Sequence, residues 1–260
     1  MNLPGQQLAY RLYTRRLRMQ LAGGRLPRHV GVVMDGNRRW ARAAGLGSPS
    51  LGHRRGAEHL DDLLNWCESA GIQHVTTFVC STENLTRRDS DEVGFLMQVI
   101  EEMADRVREE PYPRWRLHVA GQLDVLPTST ANSLKAAITA TEACRTGSHL
   151  TLAIGYGGRQ ELLDAIRDLL RDRADAGHTL EQVADSLSAE DIASRLYTAG
   201  QPEPDLVIRT SGELRLSNFL LWQSAYSELY FCDAYWPAFR EIDFLRALRS
   251  YAGRQRRYGR

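Results

Sequence analysis

The sequence predicts an α/β fold: a single domain with a central, mostly parallel six-stranded sheet flanked by helices. Three observations predict it. Short apolar runs alternate with longer amphipathic stretches along the whole chain. Strand–helix–strand order of this kind favours parallel strands covered on both faces. No internal repeat, low-complexity tract or linker divides the 260 residues.

The elements follow in chain order. Residues 6–22 read as a helix, with Tyr10, Tyr13, Leu17 and Leu21 on one face and Arg11, Arg15 and Arg18 beside them on another. Residues 1–24 are therefore an N-terminal helix laid on a core of residues 25–260. The alternative for this helix is contact with an anionic membrane or a lipid-like substrate. Strands are expected at His29–Met34, Val75–Cys80, Trp115–Ala120, Leu150–Ile154, Leu206–Ile208 and Leu229–Phe231. Helical periodicity covers about 54–70, 90–109, 129–143, 159–175, 189–197 and 242–256. The stretches Asp172–Thr179 and Gly200–Pro204 read as loops within the domain.

Composition bounds the function. A 43 % apolar, 25 % charged chain with net charge +1 has no global field for nucleic acid. Its cationic residues are arginines apart from Lys135, and arginine suits planar contact with phosphate. Cys67, Cys80, Cys144 and Cys232 form no CxxC pair, so free thiols are expected. No apolar run approaches the ~20 residues of a membrane span, and no signal-peptide core follows Met1. The expected location is cytoplasmic, with peripheral contact at the inner face of the cell membrane as the alternative.

Three segments carry chemistry. Met34-Asp35-Gly36-Asn37-Arg38-Arg39-Trp40 follows a buried strand, and ligands of parallel sheets bind beyond carboxyl strand ends. A carboxylate beside arginines and a helix start suggests a metal–diphosphate site, because Mg²⁺ takes one or two carboxylates plus phosphate oxygens. Ser81-Thr82-Glu83-Asn84-Leu85-Thr86-Arg87 follows the next strand and reads equally as turn or capping chemistry. In Asp205–Asn218 a buried strand delivers Arg209, and a Gly-bearing loop then offers Arg215 and Ser217, a diphosphate clamp. Glu228 opens the following apolar run and is expected to share the metal with Asp35. Asp61-Asp62-Leu63-Leu64-Asn65 begins like the DDxxD metal motif of helical prenyltransferases, but it lacks the last Asp and a second copy and reads as a solvated helix face.

These motifs, with Gly52-His53, Tyr156-Gly-Gly-Arg159, Ser217–Gln223 and Arg257-Tyr-Gly259, resemble the cis-prenyltransferase family, that of undecaprenyl diphosphate synthase. The resemblance runs from His29 to Gly259. It implies an Mg²⁺-dependent, homodimeric enzyme with a hydrophobic tunnel that joins isopentenyl diphosphate to an allylic diphosphate. Asp35 would hold Mg²⁺ on the allylic diphosphate, completed by Glu228. Gly36, Asn37, Arg38, Arg39, Trp40 and His53 would surround that diphosphate. Asn84 would assist proton removal. Ser81, Thr82, Glu83, Leu85 and Arg87 would line the substrate site, and Arg209, Arg215, Leu216 and Ser217 would bind isopentenyl diphosphate. Arg257 and Gly259 would assist across a dimer interface.

The chain departs from the family pattern in places. No Arg precedes Gly52-His53, and Arg54 and Arg55 are candidates to replace it. Leu85, Gly155 and Leu214 stand where Trp, Asn and a polar residue are common. These features resemble the actinobacterial short-chain group. Val79, two positions before Ser81 on a strand, is placed to shorten the tunnel, giving a short product such as Z,E-farnesyl diphosphate from geranyl diphosphate. The alternatives are a longer-chain polyprenyl diphosphate synthase, an irregular condensation of two allylic diphosphates, and a non-catalytic prenyltransferase subunit.

Overall fold

The strands are held by their neighbours in one sheet. In a computed structural model describing residues 4–110 and 113–254, these are β1 (His29–Val33), β2 (His74–Ser81), β3 (Arg116–Ala120), β4 (His149–Tyr156), β5 (Leu206–Arg209) and β6 (Glu228–Phe231). Their order is β3-β4-β2-β1-β5-β6, and every pair is parallel. Arg257 and Gly259 lie outside the described residues.

The helices are α1 (Pro4–Leu21), α2 (Asn37–Ala43), α3 (Pro49–Ser69), α4 (Thr82–Arg87), α5 (Ser90–Glu109), α6 (Thr128–Thr141), α7 (Gly158–Asp175), α8 (Leu180–Ser186), α9 (Ala189–Ala193) and α10 (Glu241–Ala252). Periodicity alone misses α2, α4 and α8, because six or seven residues are too few for an apolar stripe to repeat. The α8 start was marked by chemistry instead: Thr179 and Gln182 form a capping box. The apolar face of α5, including Leu96, Met97 and Ile100, joins the main core with Leu60 and Leu63 of α3 and Val75 of β2.

Two details differ from the expected strands. β4 continues through Gly155 to Tyr156, because Gly155 adopts φ +57° and is absorbed as an irregularity in the ladder. Its partner β2 also shifts register between Phe78 and Cys80, leaving Val79 at a bulge. The simple alternation expected to aim Val79 and Ser81 alike is thus broken there.

The helix α1 docks as its apolar face predicts. Leu17 and Leu21 are buried, and Tyr10 and Tyr13 sit under the guanidinium groups of Arg240, which caps α10, and Arg246, within it, at 5.7 and 5.3 Å.

His29, His74 and His149 at the amino ends of β1, β2 and β4, with His118 of edge strand β3, form a row of four imidazoles. His29 lies 5.8 Å from His74, and His74 stacks on His149 at 4.7 Å. His149 Nδ1 lies 2.9 Å from His118 Nε2.

Candidate active site

Asp35, Arg209 and the β2 terminus meet at the carboxyl edge of β1, β2 and β5. This is where the chain turns from β1 toward β2 on one side and β5 lies on the other, the position at which open parallel sheets bind ligands. A cavity of about 460 Å³ opens there, lined by six arginines and one carboxylate.

Asp35 is placed by its backbone. Thr210 Oγ1 accepts its N–H at 2.9 Å, and Trp236 N–H donates to its carbonyl at 2.9 Å. Next comes Gly36 at φ +101°, where an added Cβ would sit 2.7 Å from the Tyr235 ring. Only glycine fits that turn. Arg209 Nη2 donates to Asp35 Oδ2 at 2.8 Å, while Arg39 Nη2 reaches Oδ1 at 3.4 Å and Ser211 Oγ at 2.8 Å. Burial raises the Asp35 carboxyl pKa, but the Arg209 hydrogen bond and the two guanidinium charges outweigh it and hold the group below its ordinary value. The carboxylate is therefore ionised at neutral pH.

Arg209 is 4 % exposed. Its Nη1 donates to Ser217 Oγ at 2.6 Å and to the Arg215 carbonyl, while its Nε is buried without a partner. A buried, partly unsatisfied guanidinium beside an open polar cavity is arranged for an anion. The loop it grips is strained: Ser211, Ser217, Asn218 and Leu220 all have positive φ. Asn218 ties that loop to its neighbours. Its Nδ2 donates to Glu83 Oε1 at 3.1 Å, its Oδ1 accepts from Arg159 N–H at 2.9 Å, and its carbonyl accepts from Gly158 N–H at 2.8 Å.

His53 enters from α3. Gly52 and Gly56 let that helix pass tightly over α2, since a Cβ at Gly52 would lie 2.2 Å from the Asn37 carbonyl oxygen. His53 Nε2 lies 3.0 Å from Glu92 Oε1 and 3.4 Å from Arg88 Nη1, and the shorter contact with the carboxylate favours the Nε2–H tautomer. Burial lowers the imidazole pKa, Glu92 opposes this, and Arg88 adds to it, so the ring is neutral at pH 7. Glu92 also draws in Arg88 at 3.3 Å and Arg38 at 3.6 Å. One carboxylate on α5 thereby gathers three groups of the cavity wall.

Of the residues expected from sequence, Asp35, Gly36, Asn37, Arg38, Arg39, His53, Ser81, Asn84, Arg209, Arg215 and Ser217 line one cavity. Ser81 Oγ also caps α4 by accepting Asn84 N–H at 3.1 Å. Trp40, Thr82, Glu83, Leu85 and Leu216 lie behind the lining, half-buried. Arg87 is exposed and off the cavity; its neighbour Arg88 is the arginine that turns in, because α4 ends at Arg87 and Arg88 leaves it in extended conformation. Arg54 and Arg55 do not replace the missing arginine: they pair with Glu102 and Glu58. Arg42 lines the cavity instead. Asp61 and Asp62 are exposed on α3, as read.

The pairing of Asp35 with Glu228 is not met within one chain. Phe231 aligns with Arg209 and so with Val33, which puts Glu228 three positions before that level and Asp35 two beyond it. They are roughly 16 Å apart along the strands and two strands apart across them. Glu228 instead contacts Arg254 at 2.5 Å. Closeness to the clamp in sequence does not bring Glu228 to it, because a parallel strand must return to the opposite sheet edge before it starts.

The hydrophobic tunnel expected is also not shown; the apolar lining is Val33, Met34, Phe78, Val79 and Cys80. Burial pushes the Cys80 thiol up to about 11, so it is unreactive. Arg42, Arg88 and Glu92 were missed by sequence reading. Only the i, i+4 spacing of Arg88 and Glu92 hinted at their pairing.

A cavity of paired arginines and one ionised carboxylate at a parallel-sheet edge defines a diphosphate-handling enzyme. The family model for undecaprenyl diphosphate synthase matches residues 33–259, and the chain belongs to that prenyltransferase family. It is an isoprenyl transferase. An isoprenyl transferase of Streptomyces fradiae is 66 % identical over 97 % of this chain and 98 % of its own. A (2Z,6E)-farnesyl diphosphate synthase of Thermobifida fusca is 55 % identical over 96 % of both. The solved structure of lavandulyl diphosphate synthase from Lavandula x intermedia, in complex with dimethylallyl diphosphate, superimposes with a TM-score of 0.82. It is 31 % identical and covers 90 % of this chain and 99 % of that one.

Proposed function

We propose that this protein condenses isopentenyl diphosphate with an allylic diphosphate, geranyl diphosphate first among candidates, to a short Z-prenyl diphosphate of the Z,E-farnesyl type. The observation that carries the reading is Arg209: one buried guanidinium joins Asp35 to Ser217 and thereby links two halves of a cationic cavity.

Arg38, Arg39 and the Gly36–Asn37 turn bind the allylic diphosphate, with neutral His53 donating or accepting at its edge. Arg209, Arg215 and Ser217 hold isopentenyl diphosphate beside it. Guanidinium charge stabilises the departing diphosphate as its bond to the allylic carbon breaks, leaving a resonance-stabilised cation. Holding the isopentenyl double bond next to that cation removes an entropic cost. The adduct then passes a proton to the released diphosphate, with Asn84 orienting the transfer, and the C–H electron pair forms the new double bond.

The donor set fits Mg²⁺. Asp35 is ionised, its Oδ1 is held only at 3.4 Å, and a Mg²⁺ ion needs as few as one carboxylate when diphosphate oxygens and waters fill the rest. Bound there, Mg²⁺ would add Lewis-acid charge neutralisation on the leaving group. Thr82, Glu83, Leu85, Leu216 and Trp40 support the lining from behind it, and Arg88 takes the place expected of Arg87.

Assembly as a homodimer completes the reading. Exposed Leu163, Ile166 and Leu170 on α7, and edge strand β6, support it. In such a dimer Glu228 acts from the second copy or not at all. No described helix is long and apolar enough to cross a membrane; a cytoplasmic enzyme is the location proposed.

The test is purified protein with Mg²⁺, labelled isopentenyl diphosphate and a panel of allylic primers. A short chain-length profile is expected. Products longer than geranylgeranyl would replace this reading with the long-chain one, and no incorporation with any primer would favour a non-catalytic subunit. Asp35→Ala should abolish turnover with the fold retained; a fully active variant removes the Asp35 assignment.

A further inference from the structure

The outward face of α1 is not the polar face expected of a docked surface helix. Leu17, Leu21, Tyr10 and Tyr13 already turn inward. At about 100° per residue, Leu8, Leu12 and Met19 fall within roughly 40° of one another on the opposite side. They are 59, 59 and 61 % exposed. Arg15 and Arg11 line one side of this ridge and Arg16 the other. Helix α1 carries no acidic residue in its 18 positions. Arg18 is tied to Glu241, whereas Arg11, Arg15 and Arg16 have no ion-pair partner among the described residues. The chain as a whole is nearly neutral at +1, so this concentration of cations is local.

We propose that this ridge is a docking surface for an anionic lipid bilayer, with α1 lying in the plane of the interface. Leu8, Leu12 and Met19 enter the boundary between headgroups and acyl chains, and Arg11, Arg15 and Arg16 meet lipid phosphates on both sides of them. A second copy of this chain is the poorer occupant. Two such ridges placed face to face would bring six arginines together with no carboxylate on either helix to pair them. The proposal is independent of which prenyl diphosphate the enzyme makes.

The full-length protein is sedimented with vesicles of phosphatidylcholine alone and of phosphatidylcholine mixed with phosphatidylglycerol, at low and high salt. Binding is expected only to the anionic vesicles, and is reduced by salt. Arg11→Gln/Arg15→Gln/Arg16→Gln should lower the partition coefficient on the order of 100-fold. Leu8→Ser/Leu12→Ser/Met19→Ser should also release the protein from vesicles. Both triple variants should keep the far-ultraviolet spectrum and the turnover of a soluble short primer, since none of these side chains touches the cavity. Equal binding to neutral and anionic vesicles, or wild-type binding by the arginine variant, overturns the proposal. So does a concentration-dependent dimer that the Leu→Ser variant abolishes, which would assign the ridge to a second copy.

Discussion

Replacing Arg209 by lysine keeps the charge and removes the fork. The wild-type side chain is 4 % exposed and makes three fixed hydrogen bonds: Nη2 to Asp35 at 2.8 Å, and Nη1 to Ser217 at 2.6 Å and to the Arg215 carbonyl. A lysine ammonium is a single point on a shorter reach, and it cannot hold groups on both sides of the cavity at once. Two of the three bonds are lost, at a net ~1 kcal/mol each. Stability should fall by about 2 kcal/mol, which for a chain of this size lowers Tm by roughly 4–8 °C. Catalysis should suffer more, because a diphosphate bound by a bidentate guanidinium becomes bound by a point charge. Losing about 3 kcal/mol of transition-state stabilisation reduces kcat/KM for isopentenyl diphosphate on the order of 100-fold. Labelled isopentenyl diphosphate incorporation at varied concentration gives kcat/KM, and thermal circular dichroism gives Tm. Arg209→Gln, which also removes the charge, should be worse in both. If Arg209→Lys stays within about threefold of wild type with an unchanged Tm, the argument from fork geometry fails.

Other outcomes follow from the same geometry. Gly36→Ala must adopt left-handed backbone and press a methyl group to 2.7 Å from Tyr235, so Tm should drop and activity with it; a variant as stable as wild type contradicts the turn. Val79→Ala should lengthen the product by at least one isoprene unit on reversed-phase chromatography, and an unchanged profile would remove Val79 from chain-length control. For the imidazole row the sign is set by burial, the leading cause at His29, His74, His118 and His149, which lowers all four pKa values, that of His74 to about 4. The unfolded chain therefore binds more protons, and stability present above the ordinary histidine value of about 6.5 is lost as pH falls toward about 4. Thermal melts across that window should show the loss, and His149→Gln should flatten it; a Tm that rises on acidification would reverse the assignment.

The fold was legible because each strand is covered on both faces, which leaves an apolar run as its trace. It was less legible where secondary structure is shorter than its own period, as in α2 and α4, or where a glycine is carried inside a strand, as at Gly155. The lining of the cavity was largely legible, since residues just past strands β1, β2 and β5 must emerge at one edge. Local sequence cannot say which of two adjacent arginines turns inward, and Arg88 rather than Arg87 does so because α4 ends between them. Glu92 was harder to find for another reason: beyond the local i, i+4 pairing with Arg88, its partners His53 and Arg38 come from two distant segments. The misplacement of Glu228 shows the limit of sequence proximity, because eleven residues past Ser217 of the clamp the chain has already crossed to the far end of the sheet.

A chamber walled by six guanidinium groups and a single carboxylate is also a problem of release. Whatever captures two polyanions from dilute solution keeps its grip on the inorganic diphosphate left behind. Turnover then depends on how fast that by-product departs, and added electrolyte acts in opposite directions, weakening uptake while easing exit. The arginines that make the reaction possible thus also set a floor under the time each cycle takes.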